Sequence, residues 1–479
     1  MEDIYQLFLL LDVVELSWGW TAFLFFASIF IFFAFVTFIQ MVIGCIAVFS
    51  KFREVAAENI FSTLRSNSLP PITFIIPAFN EKDVIVHTVK NLLSLSYRYK
   101  KILIINDGST DSTFDLLKTH FTLRAIPLSW PGKIKTAKIR GFYASDEYKE
   151  LFVIDKENGN KADSLNAGLN ACETDIFVAA DADTLVDDDA LNRLIRPFLL
   201  NPKTVIAHAS VGLLNGCKIG LNRIVEYIFP QKLIAGLQAV DYMKSFLIER
   251  MGLSWTKGAL VVPGNFGLFK TDTIKMLGGY DVKSLVEDTE IVTHLHEYML
   301  SRNLDYEITY IPDIIAWTAG PETIGGLVRQ RIRWYTGTTQ NIWKYRHMWF
   351  NPTYRSVGLF IAPMTVFEKV APIIEISGFI ILGLAATFSV IDMTIVLMLM
   401  FASWLFVSLL IAFTVLMDVI VYETYSSWRD FSRILKSIVC YFGYHYILLY
   451  CRIRGLFVPK STRGGWVPER VAYEEMGKS

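Results

Sequence analysis

Four groups of residues in this chain have types and spacings that could do chemistry. Asp181-Ala182-Asp183 sets two carboxylates at i and i+2, which on an extended segment point to one face. Two hard oxygen ligands suit Mg2+ or Mn2+, with substrate phosphates completing the shell. Such a pair also arises by chance as solvated acid, but here it closes an apolar run, Ile176–Ala180. Glu287-Asp288 offers a carboxylate able to take a proton from an attacking hydroxyl, or simply two acids at a helix start. Gln330, Arg333 and Trp334 fall at i, i+3 and i+4 and share a helical face. There the guanidinium can grip a pyrophosphate and the indole can stack on a sugar ring. An amphipathic helix on a membrane surface would carry the same residues. Lastly, Pro77-Ala78-Phe79-Asn80-Glu81 and Asn106-Asp107-Gly108-Ser109-Thr110-Asp111 each follow an apolar run. Their carboxylates and N–H groups could bind a nucleobase or ribose, or serve only as turns and helix caps. Asp187-Asp188-Asp189 reads as a helix cap. His294 and His296, two apart and so off a common helical face, read as surface residues rather than a metal pair.

The elements that must hold these groups are those of an α/β domain. Ile72–Ile76, Lys101–Ile105, Leu151–Ile154 and Ile176–Ala180 are β-rich runs that end in polar turns. Helical patterns over Lys82–Ser94, Asp111–His120 and Lys161–Ala171 follow them. Alternation of this kind predicts a mostly parallel sheet with helices on both faces. Ligands of such sheets bind beyond the carboxyl ends of the strands, where the acids cluster. No internal repeat or low-complexity run is visible.

The chain average is far from that of a soluble domain. It is 53% hydrophobic and 19% charged, against about 25% charged in typical domains, and its mean hydropathy is +0.38. Lys+Arg and Asp+Glu are both 46, so no basic excess points to nucleic acid. The five cysteines show no metal or disulfide spacing. Residues 21–49 run 29 residues without a charge, enough to span a bilayer. Acids precede that run and Lys51 and Arg53 follow it, which places residues 1–20 at the outer interface and residues 50–350 in the cytosol. Residues 370–391 and 393–421 predict two more spans. Glu375, inside the first, is either functional or snorkels to the interface. Residues 351–369 look interfacial. The tyrosine-rich stretch within residues 434–456 has only 15 charge-free positions, Ser437–Cys451; it predicts an interfacial helix or a fourth span. Residues 457–479 would be a cytosolic tail. The expected address is the inner cell membrane, with several spans and a cytoplasmic catalytic domain.

In this order, the motifs resemble those of the processive family-2 glycosyltransferases, which include cellulose, hyaluronan and poly-N-acetylglucosamine synthases. Asp155-Lys156-Glu157-Asn158-Gly159-Asn160-Lys161-Ala162-Asp163-Ser164-Leu165-Asn166-Ala167-Gly168 looks like the family's lysine-centred donor loop. Asp181 and Asp183 match its metal pair, Asp288 its catalytic base, and Gln330, Arg333 and Trp334 its Q-x-x-R-W motif. Gly264-Asn265-Phe266-Gly267-Leu268-Phe269 stands where the acceptor-side loop does. Val286 departs from the pattern, replacing a threonine usual before the Glu-Asp pair.

The resemblance implies a GT-A, Rossmann-like domain and an inverting transfer from a UDP-sugar to a growing β-linked polysaccharide, with Mg2+ or Mn2+ as cofactor. It assigns Asp288 and Glu287 to catalysis. Pro77, Asn80, Glu81, Asp107, Gly108, Ser109, Lys161, Asp181, Gln330 and Arg333 would hold the nucleotide-sugar, and Trp334, Asn265 and Phe266 the acceptor. The partners implied are a UDP-sugar, a glycan acceptor, the lipid bilayer and a second copy or export partner, with no nucleic acid. Two other readings remain: a non-processive enzyme with a lipid acceptor, and a non-enzymatic receptor or scaffold, which the intact acids disfavour.

Overall fold

The computed structural model describes residues 2–57, 69–127, 132–220, 223–421, 425 and 428–458. The sequence-predicted tail therefore lies almost wholly outside the described residues. Among the described residues twelve strands follow in chain order: β1 (Ile72–Ala78), β2 (Lys100–Asn106), β3 (Leu123–Ala125), β4 (Ile139–Ser145), β5 (Leu151–Lys156) and β6 (Ile176–Ala180). Then come β7 (Leu185–Val186), β8 (Thr204–Leu213), β9 (Lys218–Gly220), β10 (Arg223–Glu226), β11 (Phe266–Lys270) and β12 (Glu307–Thr318). The longer helices are α1 (Glu2–Ala57), α2 (Ile85–Leu93), α3 (Thr113–His120), α4 (Lys161–Ala171) and α5 (Leu233–Met243). They continue with α6 (Glu287–Ser301), α7 (Ile324–Lys344), α8 (Ala362–Thr387), α9 (Met393–Val421) and α10 (Trp428–Phe457).

Ten strands form one sheet in the order β3-β4-β5-β2-β1-β6-β11-β8-β12-β7. The run β5-β2-β1-β6 is parallel, as the strand–helix alternation predicts. The whole sheet is mixed rather than mostly parallel, because β11 inserts antiparallel between β6 and β8, and β3, β4 and β7 pair antiparallel at the margins. The insertion has a direct consequence. Ala180 at the end of β6 faces Phe266 at the start of β11, and the Asp181 N–H donates to the Asn265 carbonyl at 3.2 Å.

Side chains of successive strand residues leave opposite faces, and both faces are covered. Phe74 and Ile76 of β1 pack with Val89 and Leu92 of α2 and Leu117 of α3. Ile75 between them packs with Leu165 and Leu169 of α4 and with Ile291 and Leu295 of α6. Each such aliphatic or aromatic side chain, fully buried, stabilises the fold by roughly 1.5–3 kcal/mol. That double layer fixes the strand ends on which the acids sit.

Among the described residues, four helical segments are long and apolar enough to cross a membrane: Phe23–Ser50, Val357–Thr387, Met393–Ile420 and Asp430–Phe457. Leu24, Ile31 and Phe35 of the first are more than half exposed, as lipid-facing side chains are. The boundary expected at residue 370 is absent. The chain is helical from Val357 to Thr387, because Glu368 and Lys369 turn toward an internal cavity instead of ending the segment at a polar interface. Likewise residues 1–20 do not form a separate segment; α1 is continuous from Glu2 to Ala57.

Candidate active site

The parallel strands end side by side. Ala78 is in register with Asn106, and Asn106 with Asp155, so the turns after β1, β2, β5 and β6 open on one crevice. A cavity of about 1990 Å3 extends from it. Pro77, Glu81, Asp107, Lys161, Asp181 and Asp183 line one end. Asn265, Glu287, Asp288, Gln330, Arg333 and Trp334 line the middle. Phe33 of α1, Glu375 of α8, Ser403 of α9 and His445 of α10 line the rest. The structure thus gathers most of the sequence-predicted site residues around one space.

Lys161 is its electrostatic centre. Asn160, held at φ 79°, caps α4 by accepting from the Asp163 N–H, which puts Lys161 in the first turn of the helix. Its ammonium lies 2.5 Å from Asp181 Oδ1 and 3.1 Å from Glu287 Oε1, and donates to the Gly264 carbonyl at 3.2 Å. Burial works to lower its pKa, but the carboxylates of Asp181, Glu287 and Asp288 outweigh it and hold the amine protonated.

Glu287 and Asp288 open α6 and titrate in opposite directions. Burial works against ionising Glu287, yet Lys161 and Arg333 draw its pKa below the ordinary carboxylate value. For Asp288, burial and the neighbouring Glu287 charge push the pKa up, only partly offset by Lys161. Asp288 Oδ1 accepts the Thr289 N–H at 2.7 Å. Gly264 packs so tightly beside it that a Cβ there would fall 2.8 Å from Asp288 Oδ2. Adjacent carboxyls driven apart in pKa are what a charged partner plus a proton acceptor require.

Asp181-Ala182-Asp183 is not extended. The Thr184 N–H donates to the Asp181 carbonyl at 3.2 Å, closing a turn over Ala182 and Asp183. The i, i+2 alternation of a strand therefore does not apply here, but both residues line the cavity. Among the described residues no group of three or more His, Cys, Asp or Glu forms a closed metal cage. Two carboxylates on a cavity wall still fit a hard divalent cation that takes its other ligands from phosphate and water.

Other residues are placed differently from the sequence expectation. Asn80 and Ser109 staple two loops together: the Asn80 N–H donates to Ser109 Oγ at 3.1 Å, and Asn80 Oδ1 accepts the Thr110 N–H at 2.8 Å. Gly108 adopts φ +68°, and a Cβ on it would lie 2.8 Å from the Asn158 nitrogen. None of these three lines the cavity; they shape its wall. Phe266 is 1% exposed and sits in the core against Phe74, since on β11 it points away from the face its neighbour Asn265 borders. His296 is buried, not superficial. Its Nε2 lies 2.8 Å from the Ala259 carbonyl and its Nδ1 contacts the Tyr306 hydroxyl, and burial lowers its pKa to about 4. Asp189 makes no side-chain cap and pairs with Arg193 at 2.7 Å.

Two groups were not foreseen. Lys156, wholly buried, bonds Asp107 and lies 2.7 Å from Asp163. Asp107 also accepts the Gly159 and Asn160 N–H groups at 3.0 and 2.9 Å, so its carboxylate clamps the loop leading to Lys161. Arg331, within the Gln330–Trp334 run, is buried against Asp241. Lys156 beside Asp155 and Arg331 beside Gln330 carried no periodicity signal in the sequence. At the helical end, His445 Nε2 lies 2.9 Å from Glu375 Oε1, so Glu375 has a specific partner inside the helix bundle.

A mixed Rossmann-like sheet ending in these acids, joined to apolar helices, defines a GT-A glycosyltransferase domain on a membrane-associated scaffold. Residues 73–213 match the family model for glycosyl transferase family 2, and residues 144–337 match that for glycosyltransferase-like family 2. The two matches together run from residue 73 to residue 337, so this part of the chain is a family-2 glycosyltransferase domain. The chain is 30% identical over 302 residues to a poly-beta-1,6-N-acetyl-D-glucosamine synthase of Staphylococcus epidermidis, covering 63% of this chain and 61% of that protein. A protein of the same name from Staphylococcus aureus (strain MSSA476) is 29% identical over 272 residues, 57% of this chain and 55% of that one. The chain thus spans about three fifths of the curated relatives it matches. A mannosyltransferase from Pyrobaculum calidifontis, solved in complex with GDP-Man and Mn2+, shares the fold at 16% identity and a TM-score of 0.50. That likeness covers 88% of this chain and 99% of that one.

Proposed function

We propose that the chain is an inverting, UDP-sugar-dependent hexosyltransferase that extends a β-linked polysaccharide from the cytosolic face of a multi-pass membrane scaffold. The observation that carries this reading is the opposed pair Glu287 and Asp288, in a cavity that continues to Glu375 and His445 between the helices. A growing sugar chain can hydrogen-bond to the polar side chains along that wall.

Asp107 and Lys156 keep the loop before Lys161 in place, and Lys161 faces the donor phosphates. Asp183, with Asp181, would hold Mg2+ or Mn2+, which when bound supplies positive charge to the leaving diphosphate. Arg333 and Gln330 bind the diphosphate from the other side. Trp334 stacks on the terminal sugar of the acceptor, with Asn265 beside it. Asp288 takes the proton of the acceptor hydroxyl through Oδ2 as that oxygen attacks the anomeric carbon. Glu287 stays ionised and holds Lys161.

Purified protein given a UDP-sugar and Mn2+ should release UDP, and Asp288→Asn should abolish that release. No UDP from UDP-glucose, UDP-N-acetylglucosamine or UDP-glucuronate would overturn the reading. A single added sugar, extractable into organic solvent, would replace the polysaccharide product with a glycolipid.

A further inference from the structure

Arg331 lies inside the Gln330–Trp334 run and lines the same cavity, but its guanidinium pairs with Asp241. It is buried, and its Nη2 donates to Asp241 Oδ2 of α5 at 3.0 Å and to the Tyr444 hydroxyl of α10 at 3.1 Å. The Tyr441 hydroxyl, one turn earlier on α10, donates to Asp241 Oδ1 at 2.7 Å. The guanidinium carbon stands 4.6 Å from the centre of the Trp334 ring. The seam between α7 and α10 is close elsewhere too. A Cβ on Gly455 would fall 2.8 Å from the Tyr335 Cβ, and Leu327 packs with Tyr441, Tyr444 and Leu448. Hydrogen bonds to charged groups are short and directional, and a buried charge left without its partner is strongly unfavourable. A slide of α7 along α10 would break these bonds at once, so they specify one register.

We propose that Arg331 is a positioning residue. With Asp241, Tyr441 and Tyr444 it latches α7 to α10, fixing the depth and rotation at which Trp334 and Arg333 face the cavity that Asp288 also lines. Arg331 touches no reacting atom and acts through the Trp334 ring. Its consequence for turnover rests on the function proposed above; the latch itself concerns two helices and can be tested without turnover.

The test uses the full chain in lipid nanodiscs. With a UDP-sugar, Tyr441→Phe/Tyr444→Phe should lower kcat about tenfold or more, the scale expected for a small misplacement of reacting groups. Donor KM should stay within about twofold and thermal unfolding near that of the parent, a split that a merely structural role would not give. Unchanged kcat, or a loss that only follows the loss of folded protein, would overturn the proposal. Independently, Val328→Cys should cross-link to native Cys451 with a short bis-methanethiosulfonate, each thiol displacing one sulfinate, since Cys451 Sγ lies 4.0 Å from the Val328 carbonyl. Adding Tyr441→Phe/Tyr444→Phe should slow that reaction severalfold. Equal rates, or no cross-link in Val328→Cys alone, would refute the latch. Failure of the parent protein to release UDP would instead refute the functional reading and leave the cross-linking result standing.

Discussion

The Lys161 ammonium lies between Asp181, at 2.5 Å, and Glu287, at 3.1 Å, joining one carboxylate of the candidate metal pair to the neighbour of the candidate base. An ammonium on a metal-type carboxylate competes with a divalent cation for it. By calorimetry without donor, Lys161→Gln should therefore bind Mn2+ about tenfold more tightly than the parent, the scale of one neighbouring charge removed. Its turnover of a UDP-sugar should nevertheless fall by roughly 100-fold, since the phosphates lose their cation. Equal Mn2+ affinities would show that Lys161 is not the counter-ion of Asp181.

As the proposed base, Asp288 should set the acid limb of the rate profile. Its pKa is raised by burial and by Glu287, so the protonated, inactive form persists to a higher pH than for an ordinary aspartate. Transfer should fall as pH drops through that raised value and level off above it. Glu287→Gln removes the like charge, so the limb should shift to lower pH even as overall activity drops. A limb that stays in place would assign it to another group.

Gly264 gives a sharper geometric test. A methyl group there would stand 2.8 Å from Asp288 Oδ2, below any normal contact distance, so the Asp288 carboxylate must move. Gly264→Ala should lower kcat by about tenfold or more while donor KM changes little, because misplacing a reacting group by less than an ångström suffices. Circular dichroism and unfolding temperature should stay close to the parent. Full activity would mean that Asp288 has room the structure does not show.

Phe266 and its neighbour separate core from cavity. Phe266 is 1% exposed in the main core, so Phe266→Ala should destabilise by about 3–5 kcal/mol with donor and acceptor KM nearly unchanged in the folded fraction. Asn265 lines the cavity, so Asn265→Ala should raise acceptor KM with little loss of stability. The reverse pattern would place Phe266 at the acceptor after all.

These contrasts show what the sequence makes legible. Lys161, Asp181, Asp183 and Asp288 meet in one cavity because each follows a strand or opens a helix, and Gln330, Arg333 and Trp334 join them because their i, i+3, i+4 spacing puts them on one face of α7; both patterns are local. β8, β11 and β12 carry no comparable local signal, since their partners lie far off in sequence and the register that sets Asn265 beside Asp181 is a tertiary fact. Phe266 was misjudged for the same reason: which face of a strand is buried depends on what inserts beside it. Asp107 lines the cavity, but no pattern in the chain announces that Lys156 is its buried partner. The end of α1 and the start of α8 follow from helix continuity and cavity lining, which charge-free run lengths do not encode.

His296 offers a stability test that needs no substrate. Burial lowers its pKa to about 4, against about 6.5 in an unfolded chain. The native state thus keeps the imidazole neutral, and the unfolded state takes up a proton first as pH falls. The stabilisation is fully present above about pH 6.5 and is lost between there and about pH 4, at roughly 1.4 kcal/mol per pH unit for one proton. Unfolding of the parent and of His296→Gln should be followed from pH 8 to pH 5. The gap between the two should stay constant above pH 7 and then close, as the parent loses on the order of 2 kcal/mol that the glutamine variant does not. A gap independent of pH would mean that His296 protonates as readily in the folded protein as in the unfolded one.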